Sequence, residues 1–158
     1  MAAQVATSNA LKLVRDVVRF ASARGGFDAP YKKVTIVSAG QGRCVAEMVV
    51  EQEHTNSGGT LHGGLICTFT DGVTNLAQMT ESGGVPGVSV DMHLSFMGAA
   101  KVGDKITIDA KTKRAGRSMT FVDVQITNCA SGKLIATGSH TMTVGNNVGN
   151  FKYENSQQ

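Results

Sequence analysis

The longest regular pattern of apolar residues follows Gly63, where such residues recur every three or four positions, as on one face of a helix. These residues are Leu65, Ile66, Phe69, Val73, Leu76 and Ala77. The period predicts a helix from Gly63 to about residue 81, ended by Gly83-Gly84 and Pro86. Because Asp71 is the only charged residue between Gly63 and Thr80, we expect a helix buried on most sides with one carboxylate within it.

After this helix the pattern changes to strict alternation, which is typical of β-strands. One face of the first strand is predicted to carry Val88, Val90, Met92, Leu94 and Phe96. The other face is predicted to carry Ser89, Asp91, His93 and Ser95. Further strands are predicted at 34–38, 43–50, 105–113, 119–128 and 134–144. The order α-β-β-α-β-β-β-β predicts an α+β fold, in which an antiparallel sheet wraps around one long central helix.

The segment before the first strand is amphipathic and has two interpretations. An apolar face, a cap at Ser8 and an end at Gly25-Gly26 predict an N-terminal helix. That face consists of Ala10, Val14, Val17, Val18 and Ala21. Four basic residues against one acid also fit a cleaved targeting peptide. We divide the chain into a helix and linker (1–30), one domain (31–146) and a polar, disordered tail (147–158).

Composition limits the classes of protein that fit. A chain of 158 residues with 41% hydrophobic and 17% charged residues suits one globular domain, and the low charge suggests a surface covered by other subunits. The net charge of +3 suits an acidic ligand but is too small and scattered to indicate nucleic acid. No apolar run is long enough to cross a membrane. Cys44, Cys67 and Cys129 contain no C-x-x-C pair, so we expect buried thiols in a reducing compartment, cytoplasmic or mitochondrial.

The start of the central helix is the first candidate site. No Ser, Asp or Asn precedes Gly63 to cap the helix, and Gly63 and Gly64 occupy its first positions. Unpaired N–H groups at a helix N-terminus, flanked by glycine, can bind a ligand oxygen closely. The alternative is a glycine turn that leads into a core helix. A phosphate-binding loop does not fit, because Gly64 stands where that loop requires Lys.

Four segments together carry a family resemblance: EHTN at 53–56, GTLHGGL at 59–65, Asp71, and PGVSVDM at 86–92. From about residue 33 to 146 the chain resembles the hotdog-fold acyl-CoA thioesterases, and among them the acyl-coenzyme A thioesterase 13 subfamily. The resemblance implies a hotdog fold and hydrolysis of fatty acyl-CoA to a free fatty acid and coenzyme A. It implies no metal and no cofactor, because coenzyme A is part of the substrate.

The resemblance also implies roles for individual residues. The Gly63 N–H polarises the thioester carbonyl, and Asn56 adds a side-chain donor. Asp71 activates or orients water with help from Ser89, and His62 arranges the site. The coenzyme A binding residues that it implies are Phe96, Lys101, Arg114, Arg117 and Ser118.

Helix geometry adds a prediction about subunits. Asp71 lies eight residues after Gly63, which is about 12 Å along a helix and too far for an Asp side chain to reach. If both act on one thioester, Asp71 must come from a second copy, so we expect active sites shared across a two-fold dimer. A polar stripe would then face the interface: Thr68, Asp71, Asn75 and Gln78. The resemblance further implies that dimers pair into tetramers.

Two other functions fit the same residues. A hotdog dehydratase or hydratase would pair a His with the helix carboxylate, although the glycine pair after His62 resembles the thioesterase pattern better. A non-catalytic acyl-CoA sensor, or a scaffold for a lipid-handling protein, could keep the fold without turnover. Release of free thiol from acyl-CoA separates both alternatives from the thioesterase.

Overall fold

The computed structural model describes residues 2–144, with side chains from residue 8 onward. Its helices are α1 (Ala2–Ala23) and α2 (Gly63–Met79), with 3-10 segments at Gly26–Lys33 and Gln52–His54. Its strands are β1 (Thr35–Gly40), β2 (Arg43–Val49), β3 (Val88–Phe96), β4 (Lys105–Ala115), β5 (Met119–Asn128) and β6 (Leu134–Thr143). The tail predicted at 147–158 lies outside the described residues.

The strands form one antiparallel sheet in the order β1-β2-β4-β5-β6-β3, and α2 packs across one face of it. The predicted α+β fold, with an antiparallel sheet around one long helix and an added N-terminal helix, is confirmed. The position of β3 did not follow from the sequence. Instead of pairing with β4, its successor in the chain, β3 pairs with β6 and forms an edge of the sheet.

A β-bulge in β3 changes which side chains face α2. Ser89 pairs with Met142 and Met92 pairs with His140, with a register shift between Ser89 and Asp91. Cross-strand partners share a face, and Met142 and His140 are both buried beneath α2. The bulge inserts one residue, so Ser89 lies on the α2 face together with Met92. Strict alternation had placed Ser89 on the opposite face with Asp91, and that prediction is wrong.

The core lies between α2 and the sheet. The helix contributes Ile66, Phe69, Val73, Leu76, Ala77 and Met79. The central strands contribute Ile106, Ile108, Ala110, Val122, Val124 and Ile126. Alternating apolar residues on adjacent strands therefore meet an apolar helix face, and burial of both supplies most of the driving force.

The outer side of α2 differs from the expectation. The Asp71 side chain is 54% exposed, so it is not enclosed within one chain. Gln78 is 1% exposed and faces the core, so it does not belong to an outward polar stripe. Asn75 is also committed, because its amide hydrogen-bonds to Gly87. Thr68 is half-buried and its hydroxyl donates to the Gly64 carbonyl, so Asp71 alone of the predicted stripe is exposed on α2.

Helix α1 is docked against β1 and the Gly26–Lys33 segment. Val14 and Val17 are buried, and the Arg15 guanidinium donates two hydrogen bonds to the Ile36 carbonyl, at 2.8 and 3.2 Å. The helix begins at Ala2, so Ser8 lies inside it and does not cap it. Arg15 thereby covers part of the β1 edge, whereas β3 is left open at the other edge of the sheet.

The cysteines only partly meet the expectation of buried thiols. All three are free, and Cys44 is buried, which raises its pKa to about 12. Cys67 is half-buried and Cys129 is exposed, so the expectation is wrong for Cys129.

Candidate active site

Asp71 is held by a hydrogen bond to the neighbouring strand. The Ser89 hydroxyl donates to Asp71 Oδ1 at 2.7 Å, which is a contact that the bulge in β3 makes available. One helical turn further along, the Asn75 amide holds both backbone groups of Gly87. Its Nδ2 donates to the Gly87 carbonyl at 2.9 Å, and its Oδ1 accepts from the Gly87 N–H at 3.0 Å. Asn75 thus fixes the start of β3 and, through it, the position of Ser89.

His140 on β6 is a third member of this cluster, and sequence reasoning missed it. Its Nε2 lies 3.6 Å from Asp71 Oδ1, and its Nδ1 lies 2.6 Å from the Thr74 hydroxyl. Burial lowers the pKa of His140, although Asp71 and Asp91 oppose this effect. The ring is fully buried, and Nε2 has no hydrogen-bond partner among the described residues. A His at an inward position of a strand was the available signal, but only the strand register connects it to Asp71.

The start of α2 is capped in a way that the sequence did not suggest. His62 is the N-cap, and its Nδ1 accepts a hydrogen bond from the Gly64 N–H at 2.8 Å. The expectation of an uncapped helix is therefore wrong. The Gly63 N–H is different, because no acceptor within residues 2–144 hydrogen-bonds to it. The helix start thus keeps one free donor, with the partial positive charge of the helix dipole behind it.

Phe96 forms a wall beside this donor. A Cβ placed on Gly63 would lie 3.4 Å from Phe96 Cε1, which is ordinary van der Waals contact. Alanine therefore fits at position 63 within the chain, but it would fill the space in front of the aromatic ring. Phe96 itself is 56% exposed, so its ring is open to a ligand.

Asn56 organises the loop that leads to α2. Its Oδ1 accepts hydrogen bonds from the Gly58 N–H at 2.9 Å and the Thr60 N–H at 3.3 Å. Its Nδ2 donates to the Thr60 hydroxyl at 3.0 Å. A side-chain amide carries two N–H bonds, so the second one is left for a ligand.

The candidate residues gather at two separate places, which we name by their central residues. The glycine end contains Gly63, His62, Asn56, Phe96 and Lys101, which joins it through a bridge between residues 60 and 101. The aspartate end contains Asp71, Thr74, Ser89 and His140. The two ends are about 12 Å apart along α2 and about 23 Å apart along β3.

The other proposed coenzyme A contacts follow the same division. Val88 and Met119 both pair with Thr143, and the Val144 N–H donates to the Ser118 carbonyl at 2.9 Å. Arg114, near the end of β4, and Arg117 and Ser118, in the turn to β5, therefore lie at the aspartate end. Within one chain they are at the opposite end of β3 from Phe96.

Residues 2–144 were also searched for a metal site and for a membrane-spanning helix. No group of three His, Cys, Asp or Glu side chains in this range is arranged to hold a metal ion. No helix in the same range has the length and apolar character needed to span a bilayer.

Comparison with known proteins agrees with the fold. The thioesterase superfamily model matches residues 58–133. Human acyl-coenzyme A thioesterase 13 is 44% identical over 133 residues, which cover 84% of this chain and 95% of the human protein. The crystal structure of zebrafish thioesterase superfamily member 2 is 46% identical, with a TM-score of 0.82, and the match covers 85% of this chain and 98% of that one.

A more distant match is a Streptococcus pneumoniae thioesterase protein whose structure contains coenzyme A. It is 27% identical with a TM-score of 0.68, and the match covers 72% of this chain and 87% of that one. The fold, and the alignment of the first two relatives with more than four fifths of this chain, indicate a thioesterase, which is a class of hydrolase. The chain belongs to the thioesterase superfamily.

Proposed function

We propose that this protein is an acyl-CoA thioesterase, which hydrolyses fatty acyl-CoA at a site formed by the glycine end of one copy and the aspartate end of another. The observation that carries the proposal is the division of the site. A free oxyanion donor and an oriented carboxylate are both present but lie about 12 Å apart along one helix. The relatives named for acyl-CoA, and the related structure with coenzyme A, support the choice of substrate.

The glycine end supplies the electrostatic part of the reaction. The Gly63 N–H, and the second N–H of the Asn56 amide, donate to the thioester oxygen as it gains negative charge. Such donors are effective because they are fixed in place before the reaction begins. His62 contributes by holding the Gly64 N–H and with it the first turn of α2.

The aspartate end supplies the water. Ser89 occupies Oδ1 of Asp71, so Oδ2 accepts a proton from the water that attacks the thioester carbon. The carbon–sulfur bond breaks as the carbonyl re-forms, and coenzyme A leaves as a thiolate. Thiols ionise near pKa 8.5, so this leaving group does not require a strong general acid. No step is assigned to a metal or a cofactor.

His140 borders the carboxylate. Its Nε2 lies 3.6 Å from Asp71 Oδ1, and its Nδ1 lies 2.6 Å from the Thr74 hydroxyl, which also donates to the Thr70 carbonyl at 2.7 Å. Because burial lowers the pKa of the ring, a neutral imidazole packs beside Asp71 at neutral pH without bringing a full positive charge. Asp71 thereby remains a base and is not fixed in a salt bridge.

The open edge of β3 supports the two-fold dimer. Val88, Val90 and Phe96 are each about half exposed on this nine-residue edge strand, at 49, 56 and 56%. The unpaired backbone groups of a long apolar edge strand can pair with a strand of another chain. Antiparallel pairing of β3 with β3 of a second copy would place each glycine end beside the partner's aspartate end. The outer face of the sheet, with Asp91, His93 and Ser95 exposed, would then be available for pairing dimers into tetramers.

The test is release of free thiol from purified protein with acetyl-, octanoyl- and palmitoyl-CoA. We expect catalytic thiol release, with Asp71→Asn as the inactive control. Hydration of crotonyl-CoA without thiol release would identify a hydratase instead. Saturable binding without either reaction would identify a sensor or scaffold.

A further inference from the structure

A cleft of about 150 Å³ lies between α1 and α2, beside Asp71. It is lined by Ala21 from α1, by Asp71 and Asn75 from α2, and by Asp28 and Tyr31 from the Gly26–Lys33 segment. The cleft has room for about five water molecules, since each occupies about 30 Å³ in the liquid. The reaction proposed above assigns no role to this cleft.

The cleft is a fixed feature of the fold, because Tyr31 ties the Gly26–Lys33 segment to α2. The Tyr31 hydroxyl donates to the Thr68 carbonyl at 2.6 Å, and its ring meets Phe69 edge-on at 5.4 Å between centroids. Gly72 makes this approach possible, since any Cβ there would overlap the Tyr31 hydroxyl. The wall that carries Asp28 is therefore held at a set distance from Asp71.

Polar groups in the cleft suit ordered water, which requires two to four hydrogen-bond partners. Burial, together with the charges of Asp71 and Asp28, raises the pKa of Tyr31, so both carboxylates lie near its hydroxyl. The Asn75 amide uses one N–H for the Gly87 carbonyl, which leaves its second N–H as a donor. The cleft thus offers two carboxylate acceptors, a hydroxyl oxygen and an amide donor to the waters within it.

The cleft reaches Asp71 from a side that the other members of the aspartate end leave open. None of the described residues that line it belongs to β3 or β6, whereas Ser89 and His140 approach Asp71 Oδ1 from those strands. In the proposed dimer, the exposed side of Asp71 receives the partner's glycine end and the thioester. A closed site of this kind excludes bulk water, although each turnover consumes one water molecule. The cleft provides a separate route for that water.

We propose that this cleft holds the water that Asp71 activates and supplies its replacement while acyl-CoA covers the site. The proposal rests on the thioesterase function proposed above, with Asp71 as the base. The attacking water gives a proton to Asp71, and its oxygen bonds to the thioester carbon and leaves in the released acid. A second water then moves along the cleft from Asp28 and Asn75, which are positioning residues for this supply.

The test compares a cleft-filling substitution with a matched control on the same helix. Ala21→Phe places an aromatic ring in the cleft, whereas Ala23→Phe adds the same ring at an exposed position about 200° around α1. We expect kcat to fall roughly 10- to 100-fold in Ala21→Phe with KM unchanged, since misplacing a reactant by about 1 Å can cost about 10²-fold. The loss should be equal for acetyl-CoA and palmitoyl-CoA, because both reactions use the same water. Ala23→Phe should match the wild type.

A smaller substitution and a structure protect the test against misfolding. Ala21→Leu fills less of the cleft, and its kcat should lie between those of the wild type and Ala21→Phe. Wild-type kcat in folded forms of both variants would overturn the proposal. A loss confined to palmitoyl-CoA would also overturn it, because the cleft would then hold the acyl chain. If the wild type hydrolyses no acyl-CoA, the proposed function itself is wrong and the water supply falls with it.

A crystal structure of Asp71→Asn protein with a non-hydrolysable acyl-CoA analogue gives an independent readout. We expect ordered waters hydrogen-bonded to Asp28 and to the Asn75 amide, in a row that ends at position 71. A cleft that is dry, or that contains the hydrocarbon of the analogue, would contradict the proposal even if the wild type releases thiol.

Discussion

The glycine end and the aspartate end of α2 are built in different ways. The hydrogen-bonding groups of the glycine end come from one continuous stretch, 53–64, beside Phe96 and Lys101, and they consist mainly of a backbone N–H and a loop held by Asn56. The aspartate end combines side chains from α2, β3 and β6, which are distant in sequence. The first depends on local turn geometry, whereas the second depends on the register of the sheet.

Neither end is a complete site. Among the side chains described, from residue 8 to 144, the glycine end has a donor for an oxyanion but no carboxylate held in position to activate water, since the Glu53 side chain near His54 is 65% exposed. The aspartate end has an oriented carboxylate but no free helix N-terminus. Substitutions at the glycine end should therefore impair stabilisation of the oxyanion, whereas substitutions at the aspartate end should impair activation of water.

The largest effect is expected at the aspartate end. Asp71→Asn keeps the size of the side chain and its contact with Ser89 but removes the base. We expect kcat to fall by about 10²–10⁴, the usual contribution of general-base assistance. Binding of a non-hydrolysable acyl-CoA analogue, measured by calorimetry, should persist because the glycine end is untouched. A near-normal kcat would show that Asp71 is not the base.

At the glycine end we expect a somewhat smaller effect. Gly63→Ala makes only ordinary contact with Phe96, so the protein should fold and keep its oligomeric mass. The added methyl blocks close approach of the thioester oxygen, and loss of one such donor typically reduces kcat by about 10²–10³. Steady-state kinetics and gel filtration check both parts. Full activity in a folded variant would remove Gly63 from the mechanism.

A still smaller effect is expected from the partner of His140. Thr74→Val keeps the shape of the side chain but leaves the buried Nδ1 of His140 without a partner. Leaving such a group unpaired costs about 1–3 kcal/mol, so the unfolding midpoint in urea should fall. Turnover should also fall by about tenfold, because the ring that faces Asp71 is released. Thr74→Ser keeps the hydroxyl and serves as the control; equal losses in both variants would contradict the positioning role.

The smallest effect concerns acid stability. Burial lowers the pKa of His140 in the folded chain below its unfolded value near 6.5. Below that pH the unfolded chain takes up a proton that the folded chain resists, so stability falls as the pH drops from about 6.5 toward the folded pKa. As the pH is lowered from about 6.5 toward the folded pKa of His140, the thermal midpoint of the wild type should therefore fall more steeply than that of His140→Gln. Parallel curves would show that His140 does not titrate in this way.

The sequence predicted the parts of the molecule that depend on local pattern. Helical and strand periods predicted α2 and the six strands, and the glycine pair indicated a candidate site at the start of α2. The bulge at Ser89 was not predicted, because one inserted residue inverts the facing of a strand without changing its composition. His140 was missed for a related reason, since its contact with Asp71 exists only through strand order and register.

Two local features were also missed, for different reasons. His62 caps α2 with a ring nitrogen, a role that N-cap preferences assign to Ser, Thr, Asp and Asn. Gln78 was assigned to the outer face by its polarity, but it is buried. Its Oε1 has no partner among the described residues, and no simple pattern predicts an unpaired polar atom in a core.

Mixing two inactive variants tests the central claim, that each site combines the glycine end of one copy with the aspartate end of another. Asp71→Asn and Gly63→Ala homodimers should both be nearly inactive. After subunit exchange, each mixed dimer should contain one intact site and one site with both lesions. Random exchange should therefore restore about a quarter of wild-type activity. No recovery, with exchange confirmed by native mass spectrometry, would show that both ends serve a site within the same chain.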